Sequence, residues 1–429
     1  MSIDSTFLEQ SFRVFHASIS PENLIGKYAL KNLAPKEGYL TNAFGVLVKP
    51  DYVPQMLSGR AGEVEGPPIP ANWHADMAEF GAALRAVDLA KGSFTMMELG
   101  CGWGCWMNIA GVVAKRHGLK VHLIGVEGDE GHVGFAHEAL RDNQFTPDEY
   151  TVYHGVAASS KGVALFPKQT AGSSWGLEPV FDLEKSAADK MRATGSYFMV
   201  KQYTLMEMAQ NHARIDLLHV DIQGGEESLI PAAMPFLSEK VAYLLIGTHS
   251  REIEGVMFKH LLAAGFVLEI ERPAVLSLDG GKPSLVVDGV HGWRNTRHLP
   301  EVDIADPNGA VELLAESPSV KAGEEFKLNV RIVNSSETDW QSVGPKPVMI
   351  SYKWVSETEN GGGVVEGVRT PLPDTIIRAG DAKAAAVRII APPVAGNYEL
   401  EITCIQECVR WFAAPAFASN RIRLSIGGI

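Results

Sequence analysis

The chain is poor in cysteine and in positive charge, and it lacks any long apolar run. Its 429 residues include four cysteines, placed as Cys101/Cys105 and Cys404/Cys408. Each pair has the spacing C-x3-C, whereas zinc sites favour closer C-x2-C pairs, often with histidine. Buried free thiols in a reducing compartment are the expectation. Lysine and arginine total 38 against 51 aspartates and glutamates, a net charge of −13. That balance argues against a nucleic-acid backbone as partner, which needs clustered cations, and against docking on anionic lipid. No stretch reaches the roughly 18 apolar residues of a membrane helix. The opening "MSIDSTFLEQSF" carries Asp4 and Glu9 and has no basic segment before an apolar core. No secretory signal is read there, and a cytoplasmic location is expected.

What is present is ordinary globular material, 46% apolar and 21% charged, in a chain long enough for two or three domains. Residues 1–70 are mixed, with turn signals at Pro35, Gly38 and "GPPIPAN", and are expected to form a lid or substrate segment. Asn72 then predicts a helix N-cap, with Trp73, Met77, Phe80, Leu84 and Val87 on one helical face. From "FTMMEL" onward, strands and helices alternate: "WMNIAGVVAKRH", "KVHLIGVE", "GHVGFAHEALRDN", "EYTVYHGVA", "IDLLHVDI", "EESLIPAAMPFL", "VAYLLIGTH", "EIEGVMFKHLLAA". "FVLEIE" and "PSLVVD" close the series as a hairpin. Alternation with continuous apolar strands predicts an α/β domain over 71–298, its mainly parallel sheet covered on both faces. "EVDIADPNG" marks a linker at 299–309. Short alternating runs from 310 to 429 predict an all-β sandwich.

The first strand runs into "MELGCGWGCW". Glycines there permit positive φ and let backbone N–H groups approach a ligand, at the strand ends where doubly wound sheets bind ligands. Gly100, Gly102 and Gly104 are therefore read as a ligand loop. The spacing G-x-G-x-G is not the dinucleotide fingerprint G-x-G-x-x-G, and Glu98 beside it disfavours a pyrophosphate. A cationic ligand such as S-adenosylmethionine fits, with Glu98 facing its ammonium. Glu127, beside Gly128 at the end of the second strand, is placed to accept ribose hydroxyls, and Val156 and Ala157 leave room for adenine.

At these motifs, together with "HGVAASSKGVALF", "GSSWG", "LLHVDIQGGEESLI" and "LLIGTHSREIEG", the chain resembles class I S-adenosylmethionine-dependent methyltransferases of the FkbM type. The resemblance implies a Rossmann-like core with a mainly parallel seven-stranded sheet, and O-methylation of a hydroxyl on a sugar or surface-glycan precursor. Members often have Glu where this chain has Gln223. The tail, "VRTPLP…APPVAGNYELEITCIQECVRWF", resembles an immunoglobulin-like accessory sandwich of bacterial surface-polysaccharide proteins. That implies a glycan, a glycan-assembly partner or a second protomer as its ligand.

Removing a hydroxyl proton needs a base near the strand ends. Asp221 and His249 end successive strands and are the candidates, with Glu226 as a third catalytic carboxylate; Asp221 also borders the cofactor. His249 has a second reading as a helix cap, Asp221 as a loop hydrogen-bonder and Glu226 as a helix-dipole partner. His219 reads as a satisfied core histidine. Ser174, Trp175 and His74 are placed at the acceptor. A divalent metal such as Mg is not expected; Asp221 is the residue that would hold one. Two other classes of function remain open: a glycan-binding scaffold with a degenerate methyltransferase fold, and an O-methyltransferase of small secondary metabolites. A nicotinamide-dependent oxidoreductase is disfavoured by the glycine spacing.

Overall fold

The computed structural model describes residues 5–278, 281–300, 302–314, 318–344, 346–356 and 364–428. The chain divides into two compact units, Met1–Pro300 and Glu301–Ile429.

The first unit is built on one sheet whose strands, in chain order, are β1 (His16–Ala17), β2 (Ser93–Leu99), β3 (Lys120–Glu127), β4 (Tyr150–Ala157), β5 (Gly162–Pro167), β6 (Tyr197–Tyr203), β7 (Leu217–Val220), β8 (Tyr243–Thr248), β9 (Phe266–Arg272) and β10 (Gly289–Asn295). Their spatial order is β1-β9-β10-β8-β7-β2-β3-β4-β6-β5. The stretch from β8 to β4 is parallel, and β10 enters antiparallel between β8 and β9. The order reverses at β2, which feeds β3 and β4 to one side while β7 and β8 lie on the other. That is the switch point at which open α/β sheets bind ligands.

Alternation along β2 shows both faces covered. Met97 and Leu99 join a buried cluster with Leu229, Ile230 and Leu237 of helix Glu226–Lys240 and Met257 and Leu261 of helix Arg251–Ala263. Glu98 lies between them in sequence, so it points the other way and reaches helix Cys105–Arg116.

Several local expectations are corrected. The sheet has ten strands among the described residues, not seven. β5 and β6 extend one edge, and β1 extends the other. "FVLEIE" does not form a hairpin with "PSLVVD": β9 pairs with β10, the polar-looking "GVHGWRN", while Ser284–Val287 pairs with Val275–Ser277. The helix after the N-terminal segment begins at Met77, capped by Asp76 in a reciprocal box with Glu79. The Asn72 side chain instead accepts from the N–H groups of His74 and Ala75, so Trp73 lies in the turn before the helix.

In the second unit, a four-stranded sheet includes Gly309–Leu313, Glu325–Asn334 and Ala382–Ile390, and a seven-stranded sheet includes Val348–Ser356, Gly396–Gln406 and Asn420–Gly427. Leu328, Val330 and Ile332 of the first share one buried cluster with Ile350, Tyr352, Leu400 and Ile402 of the second. Trp340 sits in that cluster and donates from Nε1 to Ser336 Oγ, which satisfies its buried indole. All four cysteines are free, and Cys408 is exposed rather than buried.

Candidate functional site

The glycine loop follows β2. Gly100, Gly102 and Gly104 all have positive φ, at +70°, +52° and +76°. A Cβ at Gly100 would stand 2.5 Å from the Asp221 carbonyl oxygen, and one at Gly102 would stand 2.6 Å from the Trp175 ring. The loop is thus pressed against the end of β7 on one side and open to a ring on the other, which explains why the strand breaks into glycines here. Gly104 is the N-cap of helix Cys105–Arg116.

The ends of β2, β3, β4 and β7 converge on a cavity of about 540 Å³ lined by Gly100, Gly102, Glu127, Val156, Trp175 and Asp221, with Gly128, Ala157 and Ser174 also on its wall. Glu127 Oε2 accepts from Gly102 N–H at 2.9 Å, and Oε1 accepts from Asp129 N–H at 2.8 Å. This carboxylate, 7% exposed, ties the glycine loop to the end of β3 and keeps a face in the cavity. Trp175 stacks flat on His132, ring centroids 4.0 Å apart. The loop carrying it is pinned where Gly172 N–H donates to His132 Nε2 and Gln55 Nε2 donates to Gly172 O.

Glu98 stands elsewhere. Its oxygens accept from the N–H groups of Trp106 and Met107, and it is absent from the cavity wall. It satisfies two of the orphan donors at a helix N-terminus. Burial pushes its carboxyl up to about 8, against the pull of those two N–H groups. Gly104, Glu226, His249 and His74 are also outside this wall. His74 packs edge-on to Trp103 and Trp106, and its Nδ1 is buried without a hydrogen bond. Burial pushes the His74 imidazole down to about 4. His219 is not the satisfied core histidine expected: its Nδ1 is 3.7 Å from Glu98 Oε1 and makes no hydrogen bond.

Beside the cavity, Asp221, Glu226 and His249 come together. His249 Nε2 is 3.3 Å from Asp221 Oδ1, and Nδ1 is 3.3 Å from Glu226 Oε1. Asp288, which the sequence reading missed, brings Oδ2 to 3.9 Å from Nε2. Asp288 ends the run "PSLVVD", read from the sequence as half of a hairpin, and its place just before β10 was hidden because that strand was not recognised. Burial alone would lower the His249 pKa; Asp221 and Glu226 outweigh it and push it up to about 10. Helix Arg251–Ala263 is capped by Ser250, which accepts from Ile253 N–H, so His249 is free of that duty. Gln223 takes a left-handed φ of +56° and donates from Nε2 to Asp221 Oδ1 at 2.9 Å. Carboxylates thus stand around one imidazole, with Asp221 shared between that cluster and the cavity.

No protein-family model matches the chain. Among solved structures, it is similar to methyltransferase FkbM from Methylobacillus flagellatus KT: 13% identity, 51% of this chain and 55% of that one, TM-score 0.31. It is also similar to precorrin-6y C5,15-methyltransferase from Geobacter metallireducens GS-15: 12% identity, 49% and 86% coverage, TM-score 0.28. A curated relative from Jannaschia sp. (strain CCS1), named "Putative methyltransferase", is 46% identical over 259 residues, which are 60% of this chain and 92% of that protein. With that identity over nearly the whole of the relative, and with the switch-point cavity between its strand ends, the chain belongs to this methyltransferase family.

Proposed function

We propose that the chain is an S-adenosylmethionine-dependent O-methyltransferase of the FkbM type, acting on a hydroxyl of a sugar or surface-glycan precursor. One observation carries the cofactor reading: four strand ends on both sides of the switch point meet at one cavity of about 540 Å³, within the size range of small-molecule sites. The donor set suits the cofactor. Glu127 would hold the ribose, Val156 and Ala157 would flank the adenine, and Gly100 and Gly102 would back the methionine end. The bound cofactor supplies a methyl group on a sulfonium, an electrophile that needs no further activation.

The chain's own work is then alignment and proton handling. Asp221 reaches both the cavity and His249, so it is the group that meets an acceptor hydroxyl. Gln223 holds Asp221 in place, His249 stands against it at 3.3 Å, and Glu226 holds His249. Ser174 and Trp175 form the loop wall on which an acceptor would rest. The sugar class rests on the motif resemblance, and the second unit is the proposed glycan or partner module.

Calorimetric titration with S-adenosylhomocysteine, with NAD as control, tests this. Micromolar binding of the first alone is expected, and then methyl transfer to nucleotide sugars or glycans. Binding of neither would leave the degenerate-fold scaffold as the better reading, and binding of NAD alone would mean an oxidoreductase.

A further inference from the structure

The two ring nitrogens of His249 have different surroundings. Nδ1 faces Glu226, 3.3 Å from each carboxylate oxygen. Glu226 is fully buried. Its Oε1 accepts from Ile222 N–H at 2.7 Å and its Oε2 from Gly224 N–H at 2.9 Å. It cannot swing away, and it offers Nδ1 only an acceptor. A neutral imidazole with its proton on Nδ1 carries a lone pair on Nε2. That Nε2 is buried and has no hydrogen-bond partner. It points toward Asp221 Oδ1 at 3.3 Å and Asp288 Oδ2 at 3.9 Å. A lone pair there would face two carboxylates, so a cation must stand between them: a proton on Nε2 in the metal-free cluster, or a metal ion that takes the proton's place.

A metal ion meets the geometry. Ligands about 2.0–2.2 Å from one ion lie about 3–3.5 Å from each other at tetrahedral or octahedral angles. The Asp221 separation is already there, and half-exposed Asp288 stands a little farther out at 3.9 Å. A carboxylate behind the second nitrogen is the support that metal-bound histidines use. We propose that His249 Nε2, Asp221 and Asp288 form a site for a divalent transition-metal ion, with Glu226 as its positioning carboxylate. The imidazole favours ions of the Mn²⁺ or Zn²⁺ kind over Mg²⁺ or Ca²⁺, which prefer oxygen ligands. Because Asp221 also walls the cavity, the ion would stand where an acceptor hydroxyl could join its ligands. That role rests on the methyl-transfer reading; binding of the ion does not.

The test is titration of the metal-stripped full chain with Mn²⁺, followed by the spin-resonance signal of free Mn²⁺, and with Zn²⁺ by calorimetry. S-adenosylhomocysteine is titrated in parallel. One ion per chain is expected. His249→Ala and Asp221→Asn should each weaken binding by at least about 10-fold, and Glu226→Gln by about 10- to 100-fold. If Glu226→Gln fails to fold, Asp288→Asn on the exposed side should still weaken binding. Absence of saturable binding in the wild type would overturn the site, as would unchanged affinity in a folded His249→Ala. Cofactor-product binding without ion binding would sink the site and leave the methyl-transfer reading standing. Ion binding without cofactor-product binding would do the reverse.

Discussion

The first unit contains two clusters of charged side chains, and they are built on opposite principles. In one, Glu269 accepts from Arg85 Nε at 3.0 Å and from Arg294 Nε at 2.7 Å. Asp88 beside it takes Lys27 Nζ at 2.5 Å and the Tyr28 hydroxyl at 3.0 Å. Cations match or exceed anions. Burial would raise the Glu269 pKa, but Arg85 and Arg294 outweigh it and hold it below the usual range. In the other, His249 faces Asp221, Glu226 and Asp288, and negative charge is in excess. β10 touches both: Arg294 near its end belongs to the first, and Asp288 just before its start belongs to the second. Burial of the central carboxylate does not tell them apart, because Glu226 in the second is as buried as Glu269 in the first. Charge balance does. The balanced cluster holds the edge of the sheet, and the unbalanced one lies at the strand ends, where a ligand can complete it.

The sharpest way to break this contrast is Glu269→Leu. It would leave two buried guanidinium groups without their carboxylate. Removing one partner of a buried pair costs about 3–5 kcal/mol, and urea unfolding of the first unit should show a loss of that size. A loss below about 1 kcal/mol would mean the cluster is better hydrated than its burial implies. Gly102→Val comes next. The new Cβ would collide with Trp175 and force a branched residue into a left-handed backbone. Strain of this kind costs about 1–3 kcal/mol. Affinity for S-adenosylhomocysteine should fall by about 100-fold or more, near 2.7 kcal/mol. Unchanged affinity would remove the glycine loop from the cofactor site.

What could be read from the sequence follows the same divide between local and distant causes. The strand–helix alternation, the glycine loop and the strand-end residues Glu127, Val156, Ala157 and Asp221 were legible, because period and glycine spacing are local signals. β10 was not. It contains His291, Arg294 and Asn295, and it is buried along its whole length. It tolerates burial because Glu269 pairs Arg294 and because Asn295 Nδ2 donates to the carbonyls of Leu237 and Val241. Those partners are distant in sequence, so the strand reads as loop. Glu98 was misplaced for a related reason. Its partners are the N–H groups of Trp106 and Met107 in the next helix, and no residue type announces a backbone donor.

A smaller effect is expected at Trp175. Its flat stack on His132 is worth about 0.5–1.5 kcal/mol beyond its area. Trp175→Ala should therefore weaken cofactor-product binding by no more than about 10-fold, with turnover on the true acceptor falling further if the loop also walls that side. Equal losses in both would make the tryptophan an anchor of the loop alone.

The smallest effect on stability is expected at Asp288, and it tests the contrast most directly. Its side chain is 49% exposed, and its nearest charged partner, His249, is 3.9 Å away. Coulomb attraction over that distance near a surface is largely screened. Asp288 also adds to a cluster already rich in carboxylates, and burial together with the Asp221 charge raises its pKa, against the pull of His249. Asp288→Asn removes a repulsive charge and keeps the shape, so unfolding free energy should change by less than about 0.5 kcal/mol, in either direction. The same substitution should weaken Mn²⁺ binding measurably. A stability loss as large as that of Glu269→Leu would show that the second cluster is balanced after all, and the distinction drawn between the two regions would fall.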